Sequence, residues 1–486
     1  MSLPSGPPPH APDAPPLSSA SAGSVVTRAE ARAAAGLWRA GASVLDTGIP
    51  GAGAVTGAAL LRAAHEARAA KLHRGAAAAI RVAEHLRSAT TSQPTFRLDD
   101  LVRDQRELLA VAHRLRVAGA TVRADSRGTA RREYRVATGG RLLGLCVEPI
   151  ATVSGYGGAV TLLADEEGAV WQVSTVVPGG ADARLADVAE LARFSASTPV
   201  SVGEVRLTHA DLARAGMLAT QLSVSADGRI GTGRGTQAVR AEGGSWFTPP
   251  LDALWQVPWA EQIERYLNAR DLPAIDRPAV TGLVFLDATL AGAAAGGVVL
   301  AGAEQTVLAV AAHESPQLAY VDNLRLLAGA NGAAVRVIAR PVGRRRVAPI
   351  ALSASWLPAG HGGHIDLGLG WLRRADLPPS GPQTVGSWEL PDDTPPLHPL
   401  WRRVERVVEG GRAAGTGDPA EIERMHVLLP YAAELARRLE GSRRPRRDAF
   451  GRVAASDDFA RAWLAAATYV ATALRAAERD DWLGRS

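Results

Sequence analysis

Between Arg141 and Val177 the chain reads RLLGLCVEPIATVSGYGGAVTLLADEEGAVWQVSTVV, three apolar runs of strand length parted by glycines and an acidic turn. No helical period fits this stretch, so the fold must contain a sheet. Asp165-Glu166-Glu167-Gly168 puts a glycine where a hairpin with a bulged turn needs positive φ. Alternation in the strand that follows sets Trp171, Val173 and Thr175 on one face, with Val170, Gln172 and Ser174 on the other.

Helical patterns flank this β region on both sides. The chain is therefore expected to be α+β, with a helical N-terminal domain, two small β-rich units and a helical C-terminal domain. Residues 1–25 are rich in Pro and Ser and lack the basic and apolar regions of a signal peptide, which predicts a disordered tail. The first helical domain is expected over 26–120. There Thr27-Arg28-Ala29-Glu30 has the form of a capping box, and a helix through Leu37 and Trp38 runs to the loop GIPGAGAVTG. One helix from about Ala58 to Leu86 carries Leu61, Ala64, Leu72, Ala76, Ala79 and Leu86 as its stripe. Another starts at Asp99 and Asp100, acids suited to a positive helix N-terminus.

The first β-rich unit is placed at 121–245, a linker with a short helix at 246–278, and the second β-rich unit at 279–355. A loop-rich linker follows at 356–397 and the C-terminal helical domain at 398–486. In that domain Asp418-Pro419-Ala420-Glu421 joins an N-cap acid to a proline at the first helical position, and Phe459, Trp463, Ala466, Val470 and Leu474 form the stripe of the last helix.

The two β-rich units share an order of elements. Gly144-Leu145 recurs as Gly282-Leu283, and Ala159-Val160 recurs at the same offset as Gly297-Val298. The helix ADARLADVAELARF of the first unit has its counterpart in PQLAYVDNLRLLAG of the second. After that helix come the strands AAVRVIARPVGRR and RVAPIALSAS. Three strands, a helix and two strands is the order of a five-stranded OB-type barrel, so the second unit is expected to be OB-like.

Such a sheet binds single-stranded nucleic acid by stacking bases on exposed aromatics while arginines follow the phosphates. Candidates in the first unit are Arg131, Arg132, Arg135, Tyr156 and Trp171, the arginines belonging to a basic stretch that starts at Arg123. Those in the second are Arg336, Arg340, Arg344, Arg345 and Arg346, beside Phe285 as its one strand aromatic. Net charge by itself argues little, since +5 is modest and all but one of the 54 basic residues are arginines that never deprotonate. Trp171 has a second reading, as a core residue beside Val173. The leading expectation is a non-enzymatic cytoplasmic binding protein whose β-rich units contact single-stranded nucleic acid.

An alternative is an adaptor or scaffold in a multiprotein bacterial system, with Trp255, Trp259 and the helices meeting protein partners. A third reading is a metal-dependent hydrolase built on His361, His364 and Asp366, whose ligand types suit zinc or iron. A Gly-rich loop is a poor pre-organised site, so neither metal nor cofactor is expected, and no catalytic residue is assigned. Gly228, Gly231, Gly233 and Gly235 lack the Lys-Ser/Thr pair of a phosphate loop, and no nucleophile elbow occurs. Cys146, the single cysteine, sits in an apolar run and is expected to be buried, and no apolar run is long enough for a membrane span.

The segments GTARREYRVATGGRLLGLCVEPIATVSGYGGAVTLLADEEGAVWQVSTVVPGG and THADLARAGMLATQLSVSADGRIGTGRGTQAVRA resemble a group of uncharacterised actinobacterial proteins related to, or encoded beside, SWIM zinc-finger proteins. The similarity runs from about Leu37 to about Ser353, and its motifs are descriptive. SWIM fingers use three cysteines and a histidine, and with Cys146 alone this chain lacks those zinc ligands. What the resemblance implies is a SWIM zinc-finger protein as partner.

Overall fold

The computed structural model describes residues 23–484 apart from 94–95, 131–133, 153–154, 180–184, 232–234, 271, 273–276, 382–396, 415–416 and 445–455. The expected tail thus lies almost wholly outside the described residues. Helix α1 (Arg28–Gly51) opens on the capping box: Thr27 N–H donates to Glu30 Oε2 at 2.7 Å, and Glu30 N–H to Thr27 Oγ1 at 3.2 Å. It kinks at Gly48, whose φ is 63°, and continues through Pro50, so most of the expected GIPGAG loop is helix. Three helices follow: α2 (Ala54–Ala69), α3 (His73–Thr90) and α4 (Leu98–Leu115). The single helix expected over 58–86 is two, because Lys71 at φ 60° turns the chain between them, and Leu61 of the supposed stripe is exposed. The short strands β1 (Ser24–Val25) and β2 (Thr121–Val122) pair and tie the two ends of this segment together.

The first β-rich unit holds β3 (Tyr134–Thr138), β4 (Arg141–Ala151), β5 (Tyr156–Asp165), β6 (Val170–Pro178) and α5 (Leu185–Ser197). It continues with the hairpin β7 (Pro199–Val202) and β8 (Val205–Thr208), one turn of helix α6 (His209–Leu212), then β9 (Gly216–Ser225) and β10 (Gln237–Ala241). The β5–β6 hairpin has the expected turn, with Gly168 at φ 83°. Its sheet runs β10–β9–β4–β5–β6 with β3 added along β9, and a single parallel bridge from Gln172 to Arg229 links β6 to the β9–β10 connection.

After α7 (Ala253–Gln256) and α8 (Trp259–Ala269), the second unit repeats the plan. It comprises β11 (Val284–Ala294), β12 (Gly297–Gly302), β13 (Thr306–Ala309), α9 (Tyr320–Leu327), β14 (Ala334–Gly343), β15 (Arg346–Ser353) and the two-residue β16 (Ile365–Asp366). The order is β13–β12–β11–β14–β15–β16, and a parallel β13–β15 pair closes five strands into a barrel-like sheet. That closure is compatible with the OB-type order. Leaving out β3 and the separate β7–β8 hairpin of the first unit, the sheet in both units runs third, second, first, fourth, fifth strand, with a helix between third and fourth.

Val284, Leu286, Val298, Val307, Val337 and Val347 form one side of the second sheet's core, where each such buried side chain contributes about 2 kcal/mol. Its other face carries Phe285, Ile338 and Ile350, which pack on Leu145, Val160 and Leu162 of the first unit with Trp246 and Trp255 between them. The two β-rich units are thus joined through an apolar seam. Cys146 lies in that seam with no exposed surface, and burial pushes its thiol well above the usual range.

The chain ends in α10 (His398–Gly410), α11 (Pro419–Leu428), α12 (Pro430–Ser442) and α13 (Asp458–Leu483). Val404, Leu439, Phe459 and Trp463 from these helices share one core with Leu37, Val82, Leu108 and Leu109 of the first four. The two helical segments therefore fold together. Among the described residues no helix is long and apolar enough to cross a membrane.

Candidate functional site

Most of the arginines singled out for phosphate contact are engaged by the protein itself. Arg336 donates to Asp287 from Nε at 2.8 Å and Nη2 at 3.0 Å, donates to the Trp246 carbonyl, and lies over the rings of Phe247 and Trp255. Arg340 grips Glu148 of β4 through Nε at 2.6 Å and Nη2 at 2.5 Å, an ion pair across the seam. Arg344 pairs with Asp481 at the end of α13, and Arg345 donates to the Thr306 carbonyl at 3.1 Å. Arg346 starts β15, opposite Gly343 of β14. Arg336, Arg340 and Arg344 are thus part-exposed and each already paired with a carboxylate of the protein.

In the first unit Arg131 and Arg132 lie outside the described residues, while Arg135 is exposed on the edge strand β3. Tyr156 is exposed where β5 begins. Trp171 is half-buried against the core of its own unit, and its Nε1 donates to Asp165 Oδ2 at 2.9 Å. Its ring is fixed from within. Trp171, Tyr156 and Arg135 thus do not come together on one surface in any contact between them.

His361 and His364 also part company. His361 Nε2 is 3.5 Å from Asp376 Oδ2, whereas His364 is buried, stacks on Trp246 at 5.1 Å and has Nε2 3.5 Å from Asp366 Oδ1. Asp366 Oδ1 accepts the Val147 N–H at 2.8 Å and so pins this segment to β4. Among the described residues no three His, Cys, Asp or Glu side chains are grouped to hold a metal.

The arrangement with binding character lies where α5 faces the segment after β16. Val188, Ala189, Ala192 and Ala196 are buried on the inner side of α5. The helix can lie close because β5 offers glycine there: a Cβ on Gly157 would come within 2.7 Å of the Val188 carbonyl. The outer side of α5 then presents Glu190, Arg193 and Phe194, the last 70% exposed. Opposite, Gly368 is held so tightly that a Cβ would meet the Tyr320 ring at 2.6 Å, which fixes the turn carrying Leu369 and Trp371. Between the two sides is a cleft of about 470 Å³, lined also by Arg214 and Asp366.

Both guanidiniums are held in place. Arg193 lies over the Trp371 ring at 5.2 Å. Arg214 donates from Nε to the His361 carbonyl at 3.1 Å and from Nη1 to the Ala210 carbonyl at 2.9 Å, with Nη2 3.8 Å from Asp366 Oδ2. Arg214 also lines a second cleft, of about 540 Å³, together with Arg240 and Glu242. Three arginines therefore mark two adjoining clefts, and an exposed phenylalanine stands at one end. Sequence reading passed over all of them. The available signal was Arg193-Phe194, where a phenylalanine falls off the small-residue stripe of an otherwise regular helix.

Neither models of protein families, nor curated proteins, nor solved structures offer a match to this chain.

Proposed function

We propose that the protein is a non-enzymatic binding protein built on two OB-type modules, and that it takes a single nucleic-acid strand along the two adjoining clefts of the first. The observation that carries this reading is Arg214, shared by both clefts, with Arg193 on one side, Arg240 on the other and Phe194 exposed beside them. A single strand needs that combination: cations spaced along a groove for phosphates and a ring on which a base can stack. Arg336, Arg340 and Arg344 of the second module are paired with carboxylates of the protein and do not enter the reading.

Fluorescence anisotropy with labelled single-stranded oligonucleotides at about 50 and 200 mM salt tests it, a range over which phosphate contacts weaken binding strongly. Arg193→Ala and Arg214→Ala should each weaken binding to every sequence and lower the salt slope by about one, whereas a variant of Arg344 should leave the slope unchanged. Wild-type affinity that does not respond to salt would sink the proposal.

A second reading, an adaptor, is favoured by one separate observation. Val427, Leu428 and Tyr431 at the α11–α12 junction are 81%, 74% and 60% exposed, an apolar cluster of the kind that marks protein contacts. A SWIM zinc-finger protein, suggested by the resemblance of the β region, is the partner to try against it in a pull-down with the Leu428→Glu variant as control.

A further inference from the structure

Two carboxylates, Glu190 and Asp366, share the first cleft with its two arginines. Asp366 is 3% exposed; its Oδ1 takes the Val147 N–H and lies 3.5 Å from His364 Nε2, while its Oδ2 faces Arg214 Nη2 at 3.8 Å, beyond hydrogen-bond length. Glu190 lines the same cleft from an exposed position on α5 and has no ion pair among the described residues. A site meant for phosphate alone would not place acceptors there, because they repel the anion the arginines attract. The cleft therefore has a cationic side, Arg193 and Arg214, and an acceptor side, Asp366 and Glu190.

We infer that this cleft selects bases bearing an exocyclic amino group, cytosine above all, over thymine or uracil. The inference rests on the strand-binding reading and adds specificity to it. Cytosine offers its amino group as a donor, and carboxylates accept from that group. Thymine turns a carbonyl to the same place, where it would face Asp366 Oδ2 or Glu190 with no hydrogen between them. An acceptor opposed by an acceptor in a half-enclosed cleft loses a hydrogen bond to a charged group, which corresponds to about tenfold in affinity. Arg193, Arg214, Phe194, Glu190 and Asp366 line one cleft, so phosphate, ring and base edge can each find a partner there.

The test compares labelled oligo-dC and oligo-dT of about 12 nucleotides, within the span an OB-type module covers, by anisotropy at low salt with the full chain. Both are pyrimidines, so stacking area differs little and the base edge is isolated. We expect oligo-dC to bind about tenfold more tightly, and the ratio to fall to near one in the double variant Asp366→Asn/Glu190→Ala, which leaves no carboxylate in the cleft to accept from the base. Asn at 366 keeps an oxygen for the Val147 N–H, and Glu190 is exposed without a structural partner, so a change at 190 cannot be ascribed to misfolding. Equal affinity of the wild type for the two oligomers overturns the base selection and leaves strand binding standing. Failure to bind either oligomer at low salt overturns both.

Discussion

His209 shows how much one buried residue can tie together. Its side chain is fully enclosed, between Thr161 of β5 and Thr175 of β6. One tautomer satisfies every contact: Nδ1–H donates to Thr161 Oγ1 at 2.7 Å, the Thr161 hydroxyl donates to the His209 carbonyl at 3.2 Å, and Nε2 accepts from the Thr175 hydroxyl at 3.0 Å. Burial holds the imidazole neutral, pulling its pKa from 6.5 down to about 4. As pH falls below 6.5 the unfolded chain takes up a proton here that the folded chain refuses until about pH 4, so stability is lost across that window, by about 3 kcal/mol in full. Denaturant titrations at pH 7 and pH 4.5 should show this loss in the wild type, and a smaller one in His209→Gln, which does not titrate. Equal pH dependence of the two proteins would remove His209 as the cause. Nothing in the sequence around His209 announced this role. The arginines are the converse case: Arg336 and Arg340 were legible as charges on a strand, but the partners they meet, Asp287 and Glu148, come from strands distant in sequence and could not be named from it.

At the scale of elements, the break between α2 and α3 separates what periodicity reveals from what it hides. Ala64, Leu72, Ala76, Ala79 and Leu86 are all buried, so the stripe was legible across both helices. The turn between them was not, because a helix ending on a left-handed residue is normally announced by glycine and here that residue is Lys71. Lys71 N–H donates to the Arg68 carbonyl and Leu72 N–H to the Ala67 carbonyl at 2.8 Å, so the left-handed turn is fixed by the chain on either side of it. A side chain at φ 60° costs about 1 kcal/mol relative to glycine. Lys71→Gly should therefore raise the unfolding midpoint in urea, by an amount worth about 1 kcal/mol, even though it removes a side chain; a lowered midpoint would show that the lysine makes compensating contacts. The β hairpin was more legible than this helix pair because its turn does carry the expected glycine, Gly168.

For the molecule as a whole, the decisive fact is that the chain closes on itself. Stripes were readable in the segment that forms α2 and α3 and in α13, yet a stripe states only that a face must be covered and not what covers it. Here each half covers the other. Trp463 of α13 is completely buried in the shared core and its Nε1 donates to the Val404 carbonyl of α10 at 3.0 Å, while Arg116 pairs with Asp457 at 2.6 Å and Arg412 with Asp46 at 2.7 Å across the two halves. The closure also reaches the second β-rich unit, because Trp482 at the end of α13 accepts through its carbonyl from Trp259 Nε1 and belongs to the core beneath the second sheet. Removing the last helices would uncover the faces of α1 and α4 that pack on α10 and α13, apolar area that the four remaining helices cannot cover by themselves. A chain ending at residue 397 should therefore show no cooperative melting of its N-terminal helices by circular dichroism. The milder Trp463→Ala should cost about 3–5 kcal/mol and lower the transition of both helical halves together, because cavity and lost contacts fall in a core they share. Hydrogen exchange reports the halves separately. If α1 to α4 kept their protection in Trp463→Ala while α10 to α13 lost theirs, the halves would be independent units in contact, and the single-core account would have to be given up.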